Sequence, residues 1–340
     1  TPVKITENFS LKRYHTFGIE VSANYFIELS SVDEMKEVLT TELFKKANKL
    51  VLGAGSNILF TKNFDGAVLK NNLLGVTVEK EDDEHYFVKA SAGENWHGFV
   101  LHCIENNYAG IENLSLIPGN VGAAPMQNIG AYGAELKDVF HELEALNIHT
   151  LKIDKLNAAD CKFGYRDSIF KREAKNNYII ISVTFRLYKK PKFNTGYGVI
   201  EKELEAMGVK ELSIKAISNA VCSIRSGKLP NPDEIGNAGS FFKNPVVSNS
   251  KFEMMKKEFP EIIGYKNSAA ETKLAAGWLI EKCGWKGFRS GDAGVHKNQA
   301  LVLVNYGNAK GDEILELSAR IQQSVKKKFD IELEAEVNIL

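Results

Sequence analysis

Residues 117–133 read Ile-Pro-Gly-Asn-Val-Gly-Ala-Ala-Pro-Met-Gln-Asn-Ile-Gly-Ala-Tyr-Gly, and no other stretch limits the possible folds as strongly. Four glycines, three alanines and two prolines leave a backbone with few side chains and neither helical nor strand periodicity. The Gly-, Ala- and Asn-rich region extends over 109–136, and a loop of that length inside a compact domain is usually functional. A plain surface loop would carry more Ser, Asp and Lys. A bare, shaped backbone suits close contact with a large planar ligand.

At 340 residues the chain has room for about two domains, each with its own core. Apolar residues make up 44%, the share of an ordinary globular protein. Lys plus Arg and Asp plus Glu are both 43, so no global charge draws nucleic acid or an anionic membrane, and an anion needs a local site. No apolar run reaches the ~20 residues of a membrane span, and the polar start has no signal-peptide core, so the expected location is the cytoplasm. Cys103, Cys161, Cys222 and Cys283 are far apart and read as reduced, buried thiols; with no histidine cluster, no metal is expected.

The pattern along the chain is α+β. Ser31-Val32-Asp33-Glu34 is a capping box opening a helix. Leu50–Leu52 reads as a buried strand, Ile58–Phe60 as another, and Tyr86–Ala90 as a third. Apolar positions 96, 99, 100, 103 and 104 predict a helix packed on one face. Strands are expected around 143–149 and 178–187, an exposed loop at 190–200, and a helix at 214–225 leading into an interdomain passage at 226–232. A helix at 272–283 would stop at Gly284. A strand at 300–304 precedes a helix at 312–328, with Asp312 as its cap and Lys326–Lys328 at its negative end.

Four further motifs carry chemistry. Gly53-Ala54-Gly55-Ser56-Asn57 follows a strand, but Ile58 replaces the third glycine of a dinucleotide fingerprint and no helix follows. It is either a tight turn or a backbone nest for a pyrophosphate. In Phe163-Gly164-Tyr165-Arg166-Asp167-Ser168, Arg166 could grip a carboxylate bidentately or simply pair with Asp167. Gly236-Asn237-Ala238-Gly239-Ser240-Phe241-Phe242-Lys243-Asn244-Pro245 sets one hydroxyl between small residues, which would admit a close approach, and aromatics, which would exclude water. In Leu333-Glu334-Ala335-Glu336-Val337 the alternation would point both carboxylates to one face, solvated or functional.

These motifs, with Ala275-Ala276-Gly277-Trp278-Leu279-Ile280-Glu281-Lys282-Cys283-Gly284 near the end, occur in an order that closely resembles the UDP-N-acetylenolpyruvoylglucosamine reductase family over nearly the whole chain. The Gly196-Tyr197-Gly198 loop resembles that of its type I branch. The resemblance implies a two-lobed FAD-binding region of the vanillyl-alcohol-oxidase (PCMH) type, lobes 1–72 and 73–213. A substrate-binding domain, 214–330, and a tail, 331–340, returning to the active site would follow. It implies a cytoplasmic, monomeric oxidoreductase of peptidoglycan precursor synthesis and cell wall biogenesis, serving cell shape and division.

The implied reaction is NADPH-dependent, FAD-mediated reduction of a UDP-linked enolpyruvyl amino sugar to UDP-N-acetylmuramate. By resemblance Ser240 donates the proton, with Arg166 and Glu336 at the substrate carboxylate; a Glu336 in that place would be protonated or share a proton. Non-covalent FAD would be held by Gly53, Ala54, Gly55, Ser56 and Asn57, then by Ile117, Pro118, Gly119, Gly122 and Ala123. Gln127, Asn128, Gly130, Ala131, Tyr132 and Gly133 complete that set. Tyr165, Tyr197, Lys228, Lys243, Asn244 and Gln299 are the expected substrate contacts. Ala335, where proline is expected, and Asn120, where a smaller residue is, depart from the pattern without touching this chemistry. Two alternatives share the flavin loops. A flavin oxidase or dehydrogenase acting on a sugar or alcohol would not require Ser240, Arg166 and Glu336 together. A flavin- or nucleotide-binding regulatory module would not turn over.

Overall fold

In the computed structural model, residues 3–340 are described, and the chain divides into two compact units. Thr1 and Pro2, which open the polar start and the expected first lobe, lie outside the described residues. Of the described residues, the first unit comprises 3–9, 23–54 and 65–227; the second, 10–22, 55–64 and 228–340. The helix Ile214–Lys228, expected to open the substrate domain, therefore runs almost wholly within the first unit.

The first unit is built on a five-stranded antiparallel sheet, ordered Ile153–Asn157, Phe140–Asn147, Tyr178–Tyr188, His85–Ser91, Val76–Glu81. Its central strand is interrupted by a bulge, where the register steps from Glu144 opposite Ser182 to Ala145 opposite Ile180, and apolar side chains on the two sides of that step join two different cores. Val183, Phe185 and Leu187 join the cluster under the helix Trp96–Glu105, where the rings of Trp96 and Phe185 lie 5.8 Å apart. Ile179 and Ile181 join the other, with the helix Val32–Thr40 and the sheet containing Phe64–Asn71. Ser31 caps the helix Val32–Thr40 by accepting from Glu34 N at 3.1 Å, and the Glu34 carboxylate returns to Ser30 N at 2.7 Å. The strand Lys49–Leu52 forms where expected but at a sheet edge, so only Leu52 is fully buried.

The second unit carries a four-stranded sheet, ordered Gly236–Ser240, Val302–Asn305, Ala293–Val295, Arg289–Ser290, and a three-stranded one. In the latter, Glu271–Leu274 lies between Val246–Ser248 and Gly264–Lys266, so residues 272–274 are strand and the helix begins at Ala276. Partners distant in sequence override the helical reading there. The long helix is Gly311–Phe329, capped at Lys310 rather than Asp312. Its first residue is glycine because an added Cβ would lie 1.8 Å from Phe60 O. The chain's end pairs in parallel, Asn338–Ile339 with Ile58–Leu59. All four cysteines are free, but only Cys103 and Cys161 are buried; Cys222 and Cys283 are half-buried, against expectation. Burial pushes the Cys161 thiol up to about 12, so it is inert at neutral pH. Among the described residues there is no metal-binding cluster and no helix long and apolar enough to cross a membrane.

Candidate active site

Ser240 ends a bulged strand. Against Val302–Asn305 the register steps from Asn237 opposite Val304 to Ser240 opposite Val302. Ala238 and Gly239 thus oppose Leu303 alone, a β-bulge that re-aims the side chain following it. Gly239 supplies the left-handed turn, φ +68°, and a Cβ there would meet nothing within 4 Å. The glycine serves the backbone angle, and the space beside it stays open. Asn237 locks the turn, accepting from Gly239 N at 3.0 Å and donating to Ile235 O at 2.9 Å. Phe241 and Phe242 are both buried, their rings 5.2 Å apart, and Phe241 stands edge-on to Phe17. Ser240 itself is half-exposed, and the two aromatics anchor its strand in the core.

Glu336 is fastened beside it. Its N–H donates to Phe241 O at 2.8 Å, and its carbonyl accepts from Asn57 Nδ2 at 3.3 Å. The tail, Asn57 and the Ser240 strand therefore meet inside the second unit. Residues 331–337 form no regular strand, contrary to the alternation; Ala335 makes a single bridge to Phe242. Glu334 points outward to Lys243, 2.6 Å away, while Glu336 is half-buried. Asn244 accepts from Ala276 N at 3.0 Å, at the start of the helix Ala276–Lys282. Gln299 accepts from Leu301 N at 3.4 Å, and Lys228 is exposed at the end of its helix.

Arg166 belongs to the first unit. It sits in a tight turn closed by Gly164 and Asp167, with φ +50°, a conformation side chains rarely allow. Its Nη2 donates to Gly130 O at 2.7 Å, and the guanidinium lies 5.2 Å from the Tyr165 ring centroid. Asp167 pairs with Arg172 Nε at 3.0 Å. The same segment is stitched to the 117–133 loop. Asn128 donates to Gly164 O at 2.9 Å and accepts from Lys137 N at 3.0 Å, and Ser168 donates to Met126 O at 2.7 Å. Both ends of the buried Asn128 amide are thus committed within the protein. Asn113 donates to Tyr132 O at 3.0 Å and Asn194 O at 2.9 Å, joining the Tyr197 segment to that loop. The rings of Tyr132 and Tyr197 meet edge-on, 5.8 Å between centroids.

Sequence reasoning missed Arg225, on the helix Ile214–Lys228. It donates from Nε to Leu116 O at 3.3 Å and hydrogen-bonds the Tyr132 side chain, but among the described residues it has no carboxylate partner. Burial lowers its affinity for a proton, and nearby Arg166 acts in the same direction. Two guanidinium groups sharing one neighbourhood favour an anion.

These features fit FAD. Gly53 and the 117–133 loop adjoin, since a Cβ on Gly53 would lie 3.5 Å from Asn120 Cβ. At Gly55, φ +63°, any Cβ would lie 2.2 Å from Tyr14 O, so the turn tolerates no side chain and keeps its bare backbone. Ser56 and Asn57 follow, both half-buried.

Comparison with known proteins agrees. Residues 23–149 match the FAD binding domain family, and 231–340 match the C-terminal domain of UDP-N-acetylenolpyruvoylglucosamine reductase. The chain is similar to the UDP-N-acetylenolpyruvoylglucosamine reductase of Flavobacterium johnsoniae, at 53% identity over 99% of this chain and 100% of that protein. That of Amoebophilus asiaticus is 50% identical over 99% of each. The crystal structure of UDP-N-acetylenolpyruvylglucosamine reductase from Thermus caldophilus shares the fold, with TM-score 0.68 at 24% identity over 99% of this chain and 98% of that one.

Proposed function

Because the chain belongs to the UDP-N-acetylenolpyruvoylglucosamine reductase family, we propose that it reduces the enolpyruvyl ether of UDP-N-acetylglucosamine enolpyruvate to the lactyl ether of UDP-N-acetylmuramate, a step of peptidoglycan precursor synthesis. Within the molecule, the observation carrying this reading is the bulge that presents Ser240 with Glu336 tied to the next residue. An alcohol oxidase sharing the flavin loops has no use for that arrangement. When bound, FAD reduced by NADPH would supply the hydride for the vinyl CH₂ carbon.

The residues of this chain have the remaining tasks. The 53–57 turn and the 117–133 loop hold the cofactor non-covalently, since neither contains the His or Cys a covalent link needs. Arg166 and Glu336, protonated or sharing a proton, would bind the substrate carboxylate, where negative charge develops in the reaction. Arg166 is preorganised for this by its bond to Gly130 O and by its turn. Ser240 Oγ–H hands a proton to the carbon bearing that carboxylate. A serine hydroxyl is too weak an acid to protonate anything but such a carbanion-like centre, which confines the transfer to the right moment. Tyr197 covers the substrate, while Tyr165, Lys228, Lys243, Asn244 and Gln299 contact its sugar, diphosphate and nucleotide. We place this enzyme in the cytoplasm as a monomer.

The protein should purify yellow, and acid precipitation should release its flavin into the supernatant. NADPH should bleach it and the enolpyruvyl sugar nucleotide restore the colour. Colour left in the pellet, or no recovery on adding substrate, would contradict the reading.

A further inference from the structure

The 117–133 loop begins from a strained residue gripped at both of its backbone polar atoms. Leu116 has φ +59°, the left-handed region that side-chain-bearing residues occupy only where the surroundings enforce it. Its N–H donates to His97 Nδ1 at 2.8 Å, and its carbonyl accepts from Arg225 Nε at 3.3 Å. His97 is the second residue of the helix Trp96–Glu105. Its neighbour Trp96 binds the same segment on either side, from Nε1 to Leu114 O at 2.8 Å and from its backbone N to Gly119 O at 2.9 Å. The start of that helix is thus a template for residues 114–119.

We propose that His97 is a positioning residue for the FAD-binding loop: its neutral Nδ1, acting opposite Arg225, holds Leu116 left-handed and sets the direction in which Ile117-Pro118-Gly119 leaves. This rests on the reading of 117–133 as a flavin loop. The tautomer follows from the geometry. Nδ1 accepts, so the proton sits on Nε2, which faces Cys222 Sγ at 4.0 Å. A doubly protonated imidazole has no acceptor left, so the Leu116 bond exists only while the ring is neutral. Burial, and then the Arg225 charge, hold the ring neutral by lowering its proton affinity. The titratable groups facing it come from the helix Ile214–Lys228: the Arg225 cation and the Cys222 thiol, which burial keeps protonated. A raised thiol beside a lowered imidazole is the reverse of an activated Cys–His nucleophile, which leaves the positioning role.

Three variants test it, because side-chain length selects the ring atom being mimicked. Asparagine puts its amide oxygen near the Nδ1 position; glutamine puts its own near Nε2; alanine supplies neither. Two quantities are read on the full-length chain: hydrogen exchange of the Leu116 amide, with FAD bound and after its removal, and the FAD dissociation constant. His97→Asn should preserve both. His97→Gln and His97→Ala should speed Leu116 exchange and weaken FAD binding by about two- to tenfold, the equilibrium factor of one hydrogen bond. If His97→Ala does not fold, the Asn and Gln pair still decides. Unchanged Leu116 protection in His97→Gln would overturn the clamp. Lost protection with unchanged FAD affinity would overturn the link to the cofactor. Equal damage from all three variants would assign the effect to ring packing. If the parent chain binds no flavin, the functional reading fails, and exchange in the cofactor-free chain still judges the clamp.

Discussion

Gly55 and Gly239 share nearly the same backbone angle, φ +63° and +68°, yet stand in opposite surroundings, which makes a paired substitution to alanine informative. At Gly239 a Cβ meets nothing within 4 Å, so the cost is only that of a left-handed alanine, about 1–2 kcal/mol. At Gly55 the same Cβ would lie 2.2 Å from Tyr14 O and 2.6 Å from His15 Cα, backbone atoms that move only together. Overpacking adds about 1–3 kcal/mol, so Gly55→Ala should cost about 2–5 kcal/mol in all. Urea unfolding of the two variants and the parent, followed by circular dichroism, measures the difference directly. Gly55→Ala should also purify short of FAD, because relieving the clash shifts the 53–57 turn, whereas Gly239→Ala should keep its flavin. Equal destabilisation by the two, or a milder effect at Gly55, would refute the claim that steric clearance shapes the turn.

Two other expectations concern single side chains. Tyr197→Phe keeps the edge contact with Tyr132 and removes one hydroxyl, so substrate affinity should fall by about 0.5–1.5 kcal/mol while flavin reduction by NADPH changes little; equal losses in both half-reactions would make Tyr197 structural. His15 donates from Nε2 to Ile19 O at 2.9 Å, and its Nδ1 is buried without a partner. Burial lowers its proton affinity, with Glu20 and the Ile19 bond opposing, so the unfolded chain binds the proton first. Stability should therefore be full above about pH 6.5 and fall as the pH drops below it. The urea midpoint of His15→Gln should depend less steeply on pH there than the parent's; an identical slope would contradict the assignment.

Much of this molecule was legible where local chemistry and periodicity agree. Ser31 and Glu34 announce their helix, the spacing of Trp96, Phe99, Val100 and Cys103 announces another, and all four of those residues are buried as read. Legibility failed where partners far apart in sequence decide. Thr272 and Leu274 belong to a strand because residues 246–248 and 264–266 flank them. Gly311 moves a helix start because Phe60 O leaves no space for a Cβ. Phe241 and Phe242 follow Ser240 in sequence, but that their rings lie in the core is decided by distant partners such as Phe17. The motifs carrying the resemblance were visible as strings, but the device that aims Ser240, an extra residue opposite Leu303, is a property of two paired strands. His97 and Arg225 left no local signal, since the residue they grip lies 19 and 109 positions away.

The central claim is that Ser240 is the proton donor to carbon, and Ser240→Ala tests it through the two half-reactions. The substitution removes a hydroxyl and little volume, so folding and FAD content should persist. In stopped-flow absorbance, bleaching by NADPH involves no carbon to protonate and should run near the parent rate. Recovery with the enolpyruvyl substrate should slow by about 10²–10⁴-fold, the usual loss on removing a positioned general acid. Ser240→Cys, with the stronger acid, should regain part of it. If bleaching slows as much as recovery, Ser240 shapes the site and is not its acid; if recovery is unslowed, the proton comes from another residue.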